Sequence, residues 1–200
     1  MNARRLKIPL LSEDVLALRV GDMVLLSGKI VTGRDKAHRF LRDERPDKKD
    51  MPFDLQDGVI YHCGPILQNI NDTYSVVAAG PTTSIRMELY EADVIRAYGL
   101  RGIMGKGGMG PKTLEAMREC GCVYLNTISG AAVYLADSIR AVSCGWKVAE
   151  FGEAEAMWLF EVEDFPAVVT MDAYGKSLHD NVEKTSVKGL RKALGLSLPS

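Results

Sequence analysis

The chain has 200 residues, of which 46% are hydrophobic, and its formal net charge at pH 7 is −1. No linker rich in proline, serine or glycine divides it, so we expect a single domain over residues 1–200. The near-neutral charge gives no positive field, which argues against nucleic acid or an anionic membrane as the main partner. No stretch approaches 18 consecutive apolar residues, so we expect no transmembrane helix. The apolar run at 8–11 is too short for a signal peptide, which predicts a cytoplasmic protein.

Short β-branched and apolar runs alternate with segments of helical spacing along the chain. The predicted strands lie at 1–11, 23–31, 59–63, 76–79, 100–104, 123–127, 139–144, 157–162 and 167–171. The predicted helices begin at Ser12, after Arg34, at Ile85, at Pro111, at Ser129 and at Val182. This alternation predicts an α/β domain with a mixed sheet flanked by short helices.

Glycine and proline mark the predicted breaks between these elements. Gly28 is expected to form a bulge, residues 69–72 a hairpin turn, and Phe165-Pro166 a turn between two strands. The charged segment 43–57 reads as a loop, long enough for a flap or a contact with another chain. The basic amphipathic helix at 182–194 is interpreted as a packing or subunit element.

The stretch from Gly80 to Met87 carries three hydroxyls and an arginine between a buried strand and a predicted helix. Helix N-termini leave amides unpaired and carry partial positive charge, so this junction predicts an anion site. Thr82 and Arg86 share a face if helical geometry begins by Thr82. The alternative is that Thr83 or Ser84 is only an N-cap and that Arg86 is solvated.

A second strand-to-helix turn carries Arg34, whose guanidinium suits bidentate binding of a carboxylate. The alternative is a surface pair with Asp35, worth ~0–1 kcal/mol. We interpret His38 as a hydrogen-bonded structural histidine. His62 and Cys63 are expected to point to opposite faces of their strand, which argues against a Cys–His catalytic pair.

The loop Gly105–Gly110 spells G-x-G-x-x-G between a strand and a helix that starts at Pro111. The strand at 123–127 offers no carboxylate for a ribose, and Lys106 is not followed by the Ser or Thr of a Walker loop. What remains is a glycine-rich turn that allows backbone to approach an anion, with Lys106 inside it.

Ligands of α/β folds gather at the carboxyl ends of strands, where these three turns are expected to lie. Together they offer three cations and three hydroxyls, which suit a small dianion such as a dicarboxylate: Arg34, Arg86, Lys106, Thr82, Thr83 and Ser84. The sequence gives no metal ligand set, Ser–His–Asp arrangement or acidic pair beside them. The turns therefore predict half of a site, which orients an anionic substrate but lacks an electrophile.

The four cysteines match no zinc pattern and no closely spaced iron–sulfur run: Cys63, Cys120, Cys122 and Cys144. We interpret them as free thiols in a reducing compartment.

At these turns the sequence resembles the β subunit, or C-terminal domain, of the class I iron–sulfur hydro-lyases, which comprise fumarase and L-tartrate dehydratase. The resemblance covers about residues 5–180. Its most specific string is Gly80-Pro81-Thr82-Thr83-Ser84-x-Arg86-Met87. The other matching pieces are Ser27-Gly28, Gly33-Arg34-Asp35-x-Ala37-His38, Gly64-Pro65, Gly105-Lys106-Gly107-Gly108-Met109, Phe151-Gly152-x-x-Glu155-Ala156-x-Trp158 and Val162-Glu163-Asp164-Phe165-Pro166.

The resemblance implies a swivelling β/β/α domain that works with a larger α subunit. That subunit would hold a 4Fe-4S cluster, so this chain alone would bind no cofactor and its cysteines would not be cluster ligands. Thr82 matches the residue that moves the C3 proton, and Lys106 takes part in catalysis. Arg34, Arg86 and Lys106 match the groups that grip the carboxylates, and we expect Thr83 and Ser84 to assist them.

The residues leave the substrate and the assembly open. Fumarate and malate lead, with L-tartrate or mesaconate as alternatives, in a homodimer or higher heteromer. A different class of function is a non-catalytic anion- or nucleotide-binding module that uses the Gly105–Gly110 loop. A third hypothesis is a domain that only caps the α subunit.

Overall fold

The structure is a computed structural model that describes residues 3–71 and 73–195. The strands are β1 (Arg4–Lys7), β2 (Met23–Thr32), β3 (Val59–Tyr61), β4 (Ile66–Ile70), β5 (Thr73–Ala78), β6 (Gly102–Gly105), β7 (Val123–Asn126), β8 (Ile139–Trp146) and β9 (Met157–Met171). The α-helices are α1 (Ser12–Ala17), α2 (Asp35–Asp43), α3 (Glu91–Tyr98), α4 (Pro111–Cys120), α5 (Ala132–Ala136), α6 (Val148–Phe151) and α7 (Leu178–Ala193). Short 3-10 helices cover Lys48–Asp50 and Ser84–Met87.

Seven strands form one mixed sheet in the order β1-β2-β3-β6-β7-β9-β8. β1, β2, β3, β6 and β7 are parallel to their neighbours, and β9 runs antiparallel. β9 also pairs with β2, so β2, β3, β6, β7 and β9 close into a ring. This mixed α/β architecture confirms the predicted fold class of the fumarase β-subunit type.

Two apolar clusters pack on the two faces of the strands. One contains Tyr61, Trp158, Phe160 and Phe165 and lies within the ring of strands. The other joins the sheet to helices α2, α3 and α4 through residues such as Leu41. Of the parallel strands, β2 and β6 lead into the helices α2 and α4 of this second cluster, while β3 leads into the hairpin of β4 and β5.

The bulge predicted at Gly28 is present, because the register of β2 against β9 shifts between Leu26 and Gly28. The hairpin predicted at 69–72 is formed by β4 and β5, while Asp72 itself lies outside the described residues. The segment 43–57 is a loop with one 3-10 turn, and it buries Met51, Phe53 and Leu55. Full burial of such side chains contributes ~1.5–3 kcal/mol each, so this segment belongs to the core and is not a free flap.

The predicted helix from Ile85 to Tyr98 is wrong in its first half. Residues 84–87 form a 3-10 turn, and the α-helix starts only at Glu91. Ile85 and Leu89, which share helical spacing with the buried Ala92 and Ile95, are 50% and 68% exposed. The amide of Ser84 donates to the carbonyl of Lys106, and this tertiary contact overrides the local helical spacing.

Three further expectations are corrected. The run at 76–79 is not a buried strand: it ends the two-stranded sheet of β4 and β5, and Val77 is 46% exposed. Phe165-Pro166 is no turn, because β9 is continuous there. At Pro166 β9 pairs with β2 alone, so a residue without an N–H is tolerated. Ser12, which the sequence favours as the N-cap of the first helix, is instead the first residue of α1 and makes no capping bond.

The final helix, α7, buries none of its residues. No helix in the described ranges is long and apolar enough to cross a membrane.

Candidate active site

The carboxyl ends of β2, β3, β6 and β7 lie side by side. Thr32 pairs with Tyr61, Tyr61 with Met104, and Gly105 with Asn126. The turns that follow these four positions therefore meet at one edge of the sheet. Two of the three turns singled out from the sequence, at Arg34 and at Lys106, lie at this edge.

The third turn, from Gly80 to Arg86, reaches the same edge by inserting between the ends of β3 and β6. Thr82 donates its amide to the carbonyl of His62 at 2.7 Å. Pro81 forms a β-bridge with Cys63, the residue after His62. On the other side of the segment, Thr83 forms a β-bridge with Lys106. The hydroxyls of Thr82 and Thr83 thus lie on an extended segment, and Ser84 begins the 3-10 turn, so no α-helix N-terminus carries them.

Thr82 and Lys106 are neighbouring candidate residues whose side-chain polar atoms are unpaired in the described ranges. Their main chains are joined, since the amide of Lys106 donates to the carbonyl of Thr82 at 3.4 Å. Both side chains are half-buried. Within residues 3–71 and 73–195, the Thr82 hydroxyl makes no hydrogen bond and the Lys106 ammonium has no carboxylate within 4.0 Å. Thr83 is exposed next to them.

Arg34 lies at the N-cap of α2 and already has a carboxylate partner. One terminal nitrogen lies 3.3 Å from Glu155 Oε1, and the other donates to the carbonyl of Ala154 at 3.5 Å. Its Nε is buried without a hydrogen-bond partner. Gly64 makes this packing possible, because a Cβ there would lie 2.7 Å from an Arg34 terminal nitrogen.

Arg86 pairs with Asp35 through both ends of its guanidinium, with Nε donating to Oδ1 at 3.2 Å. The surface pair considered from sequence, Arg34 with Asp35, is not the one formed. The Arg86 side chain is 48% exposed, so the pair itself adds only ~0–1 kcal/mol to stability. What the pair does is tie the turn after β2 to the segment that contains Thr82.

Ser84 lies in a buried hydrogen-bond network that sequence analysis missed. Its Oγ lies 2.8 Å from Nδ1 of His62 and accepts a bond of 2.7 Å from the Tyr124 hydroxyl. Nε2 of His62 lies 2.9 Å from Oε2 of Glu91. The sequence showed no Ser–His–acid arrangement, yet one is present. Ser84, His62 and Glu91 are all fully buried, so Ser84 is not placed as a nucleophile.

Burial and charge set the protonation of this network. Burial acts to raise the pKa of Glu91, but His38 and His62 outweigh it and lower that pKa to about 2. Burial lowers the pKa of His62, and the nearby His38 adds to this against the opposing effect of Glu91. Burial also opposes charge on His38, yet Glu91 and the Arg34 carbonyl raise its pKa. His38 is therefore hydrogen-bonded within the structure, as predicted, and its raised pKa also favours the charged imidazolium.

Comparison with known proteins places this geometry in a family. A sequence profile described as Fumarase C-terminus matches residues 2–182. The chain belongs to the fumarase C-terminal family.

Relatives in this family carry the names of two hydro-lyases. A Geobacillus stearothermophilus protein named "Putative fumarate hydratase class I" is 52% identical over 92% of this chain, which spans 35% of that protein. A Methanocaldococcus jannaschii protein named "Putative L(+)-tartrate dehydratase subunit beta" is 40% identical over 94% of this chain and 96% of its own. The L(+)-tartrate dehydratase subunit beta of Escherichia coli K12 is 37% identical over 86% and 85%. The chain is thus a hydro-lyase domain of the β-subunit type.

In this fumarase C-terminal domain, the helix N-terminus behind the glycine-rich loop is already occupied by a carboxylate. Glu88 accepts from the amides of Gly110, Lys112 and Thr113 and from the Thr113 hydroxyl, at 2.6–3.3 Å. These are the groups that would hold a phosphate in a dinucleotide site. The G-x-G-x-x-G loop therefore presents Lys106 and not a vacant helix N-terminus.

The turn before α2 is filled in the same way. Glu155 accepts from the amide of Lys36, in the first turn of that helix, at 3.0 Å. The amides at the N-termini of α2 and α4 are therefore bound by carboxylates from within the domain. Of the three candidate cations, Lys106 is the one whose charged group has no carboxylate partner in the described residues.

The four cysteines of the domain are free and do not come together in the described residues. Cys63 and Cys122 are buried in the two different apolar clusters. Burial raises the pKa of Cys63 to about 12 and that of Cys122 well above its usual value. Because Cys63 and Cys122 lie in separate clusters, they are not placed to ligate one iron–sulfur centre together. His62 and Cys63 do face opposite sides, as predicted.

A cavity of about 480 Å³ lies elsewhere, between the turn before β3 and residues Ile8, Gly28 and Phe53. None of the candidate residues lines it, so it is not the proposed substrate site.

Proposed function

We propose that this chain is the β subunit of a two-subunit 4Fe-4S hydro-lyase that reversibly hydrates fumarate to L-malate. In this proposal Arg34, Arg86 and Lys106 bind the substrate carboxylates, and Thr82 transfers the proton at C3. The names of the relatives support the reaction class and a partner α subunit. The motif resemblance supports the individual roles.

The observation that carries the proposal is the insertion of the Thr82–Ser84 segment between the ends of β3 and β6. It sets a free hydroxyl and a free ammonium, from distant parts of the chain, on adjacent strands. A threonine hydroxyl is a very poor base in water. Beside a fixed positive charge, in a site closed from water, its conjugate base is stabilised and proton transfer becomes feasible.

The chemistry divides between the chain and its partner. The 4Fe-4S cluster implied on the α subunit would supply a Lewis acid for the substrate hydroxyl and a carboxylate. Removal of the C3 proton of malate leaves an aci-carboxylate, which carries extra negative charge. Lys106 and the two arginines stabilise that charge, while Thr82, as its conjugate-base alkoxide, accepts the C3 proton to become the neutral hydroxyl and returns that proton in the hydration direction.

Arg34 and Arg86 bind substrate only by sharing their guanidinium groups. Glu155 and Asp35 already take part of the hydrogen-bonding capacity of each group. A guanidinium has five N–H donors, so a substrate carboxylate can bind beside these acids. The acids fix the arginine side chains before substrate arrives, which lowers the entropy lost on binding.

Ser84 takes a supporting role in this proposal. Its hydroxyl is fully buried and bonded to His62 and Tyr124. Thr83, which is exposed beside Lys106, remains a substrate-binding residue.

The substrate itself is the finer part of the proposal, with L-tartrate or mesaconate as the alternative. Anaerobic co-expression with an iron–sulfur α subunit, followed by assays on malate, L-tartrate and mesaconate, tests it. Fastest turnover of malate and fumarate supports the proposal. Preference for L-tartrate moves the enzyme to the tartrate dehydratase branch, and no turnover of any of the three diacids overturns the hydro-lyase function.

The nucleotide-binding module is the weaker hypothesis, because the Glu88 carboxylate holds the amides that a phosphate would need. The capping hypothesis differs from catalysis in predicting normal turnover without the Thr82 hydroxyl. We propose a cytoplasmic location, since free thiols are typical of a reducing compartment. We also propose that the enzyme is a homodimer or higher heteromer, an assembly that the family resemblance favours.

A further inference from the structure

Glu91 joins two buried histidines in the layer of side chains behind the candidate site. Its Oε2 lies 2.9 Å from Nε2 of His62 and 3.0 Å from Nε2 of His38, and all three side chains are fully buried. The two imidazole rings meet edge to face with their centres 4.8 Å apart. A carboxylate removed from water persists only when it is paired, so Glu91 and the histidines form one unit.

The hydrogen-bond partners assign the protons in this unit. Nδ1 of His38 lies 2.9 Å from the carbonyl of Arg34, which can only accept, so Nδ1 carries a proton. A neutral His38 would then turn a lone pair toward the Glu91 carboxylate. An imidazolium instead presents its second N–H, although the contact is too bent for a full hydrogen bond. His62 needs only its Nε2 proton to bond Glu91.

Each histidine is attached to one of the turns that carry the candidate residues. His38 holds the carbonyl of Arg34 through its side chain and through its own amide, both at 2.9 Å. His62 accepts the Thr82 amide with its carbonyl and contacts Ser84 with Nδ1. The network continues from Ser84 to the Tyr124 hydroxyl, which accepts from the amide of Gly108 in the glycine-rich loop.

One buried carboxylate therefore connects all three turns of the site, which lie far apart along the chain. The connection runs entirely through buried groups, so water does not weaken it as it weakens the exposed Arg86–Asp35 pair.

We propose that Glu91 is a positioning residue for the reaction, which acts through His38 on Arg34 and through His62 on Thr82 and Ser84. The positioning role rests on the proposed function, because it concerns the rate of that reaction. The buried unit of Glu91, His38 and His62 can be tested without it. Glu91 does not touch substrate. It fixes the distance between a carboxylate-binding arginine and the proton-transfer threonine.

Glu91→Gln is the direct test, because the amide keeps the shape and one acceptor but loses the charge that balances His38. The assembled enzyme is expected to lose at least 10-fold in kcat, with a smaller change in KM, since Lys106 and Arg86 still bind the diacid. Glu91→Asp keeps the charge and should recover part of the loss. Glu115→Gln, an exposed glutamate on α4, is the matched control and should stay within twofold of wild type.

A second measurement does not depend on activity. In the ¹⁵N-labelled full chain at neutral pH, NMR is expected to show His38 with both ring nitrogens protonated and His62 as the neutral Nε2–H form. Glu91→Gln should shift the amide signals of Arg34, Thr82 and Ser84, and Glu115→Gln should not. If His38 is neutral in the wild-type chain, or if these three amides and kcat are unchanged in Glu91→Gln, the proposal is overturned.

These two readouts separate the hypotheses. A wild-type complex that turns over none of the three diacids removes the proposed function, while the NMR result still decides whether Glu91 couples the turns. An active wild type with normal kcat in Glu91→Gln removes the positioning role alone.

Discussion

The amide of Thr82 donates a 2.7 Å hydrogen bond to the carbonyl of His62. The proposed proton-transfer residue is therefore held by a residue whose side chain is wholly buried. The hydroxyl of Thr82 is thereby held at the sheet edge without using any of its own hydrogen-bonding capacity. This relationship makes the chemistry of the site depend on groups that no substrate reaches.

Lys106→Ala removes the one cation at the site that has no acidic partner in the described residues. We expect kcat/KM of the assembled enzyme to fall by about 10²–10³-fold, because electrostatic stabilisation of the developing charge is lost. Steady-state kinetics on malate measures this, with gel filtration to verify assembly. Lys112→Ala, an exposed lysine on α4, is the control. A Lys106→Ala enzyme within twofold of wild type would exclude Lys106 from the mechanism.

Arg86→Lys replaces a planar fork by a point charge that cannot hold both oxygens of Asp35. We expect KM for the diacid to rise at least 10-fold, since both the tie to α2 and the geometry of carboxylate binding change. The control is Arg39→Lys on α2, where the arginine is 72% exposed and pairs with Asp43. Equal KM values for the two variants would show that Arg86 does not bind the substrate.

Gly64→Ala tests the packing of Arg34. The added Cβ would lie 2.6 Å from the Ala154 carbonyl and 2.7 Å from the guanidinium, so Arg34 must move. We expect a higher KM with little change in secondary structure by circular dichroism. Gly189→Ala, a helical glycine with open space around it, should instead leave KM unchanged. An unchanged KM in Gly64→Ala would show that the position of Arg34 does not matter for binding.

Glu88→Gln weakens the carboxylate cap on α4. The loss of charge-assisted bonds to three amides should lower the free energy of unfolding by about 1–3 kcal/mol. Urea unfolding measures this effect, with the exposed Glu115 changed to Gln for comparison. If the wild-type chain binds a nucleotide while Glu88 still accepts the α4 amides, our argument against the nucleotide-binding hypothesis is wrong.

The buried unit also predicts a pH dependence of stability. Burial opposes ionisation of Glu91, but the two histidines lower its pKa from 4.5 to about 2, so its stabilising effect is present above pH 4.5 and is lost as the pH falls through about 2. The raised pKa of His38 gives stability that is full below pH 6.5 and is lost as the pH rises through the raised value. Burial lowers the pKa of His62, so its effect on stability is opposite to that of His38: it disfavours the folded state as the pH falls. Asp35 raises the pKa of both histidines.

The difference in unfolding free energy between wild type and Glu91→Gln should therefore shrink by on the order of 2–3 kcal/mol as the pH falls from about 5 to about 2.5. Urea titrations at several pH values give this difference directly. A difference that stays constant over this range would mean that Glu91 is not ionised in the folded chain.

The α/β class and the three turns could be predicted from the sequence because periodicity and glycine are local signals. Ser84–Met87 could not, since a contact with Lys106 across the sheet decides that this segment is extended and then 3-10. The role of Glu91 was hidden for a similar reason. It lies in what reads as an ordinary helix turn, and only the fold brings it to His38 and His62.

The partners of the arginines were equally out of reach. Glu155 and Asp35 come from other parts of the chain, and both look like solvated acids in the sequence. Gly64-Pro65 shows in the sequence only as the end of a strand, whereas the glycine is needed for the close approach of Arg34.

The most direct test of the account is the exchange of the C3 proton of malate with deuterium from solvent, measured by NMR on the anaerobic assembled enzyme with Thr82 or with Thr82→Ala. The account predicts that Thr82→Ala binds malate and assembles normally but exchanges at least 100-fold more slowly than wild type. Exchange at the wild-type rate without the Thr82 hydroxyl would contradict it.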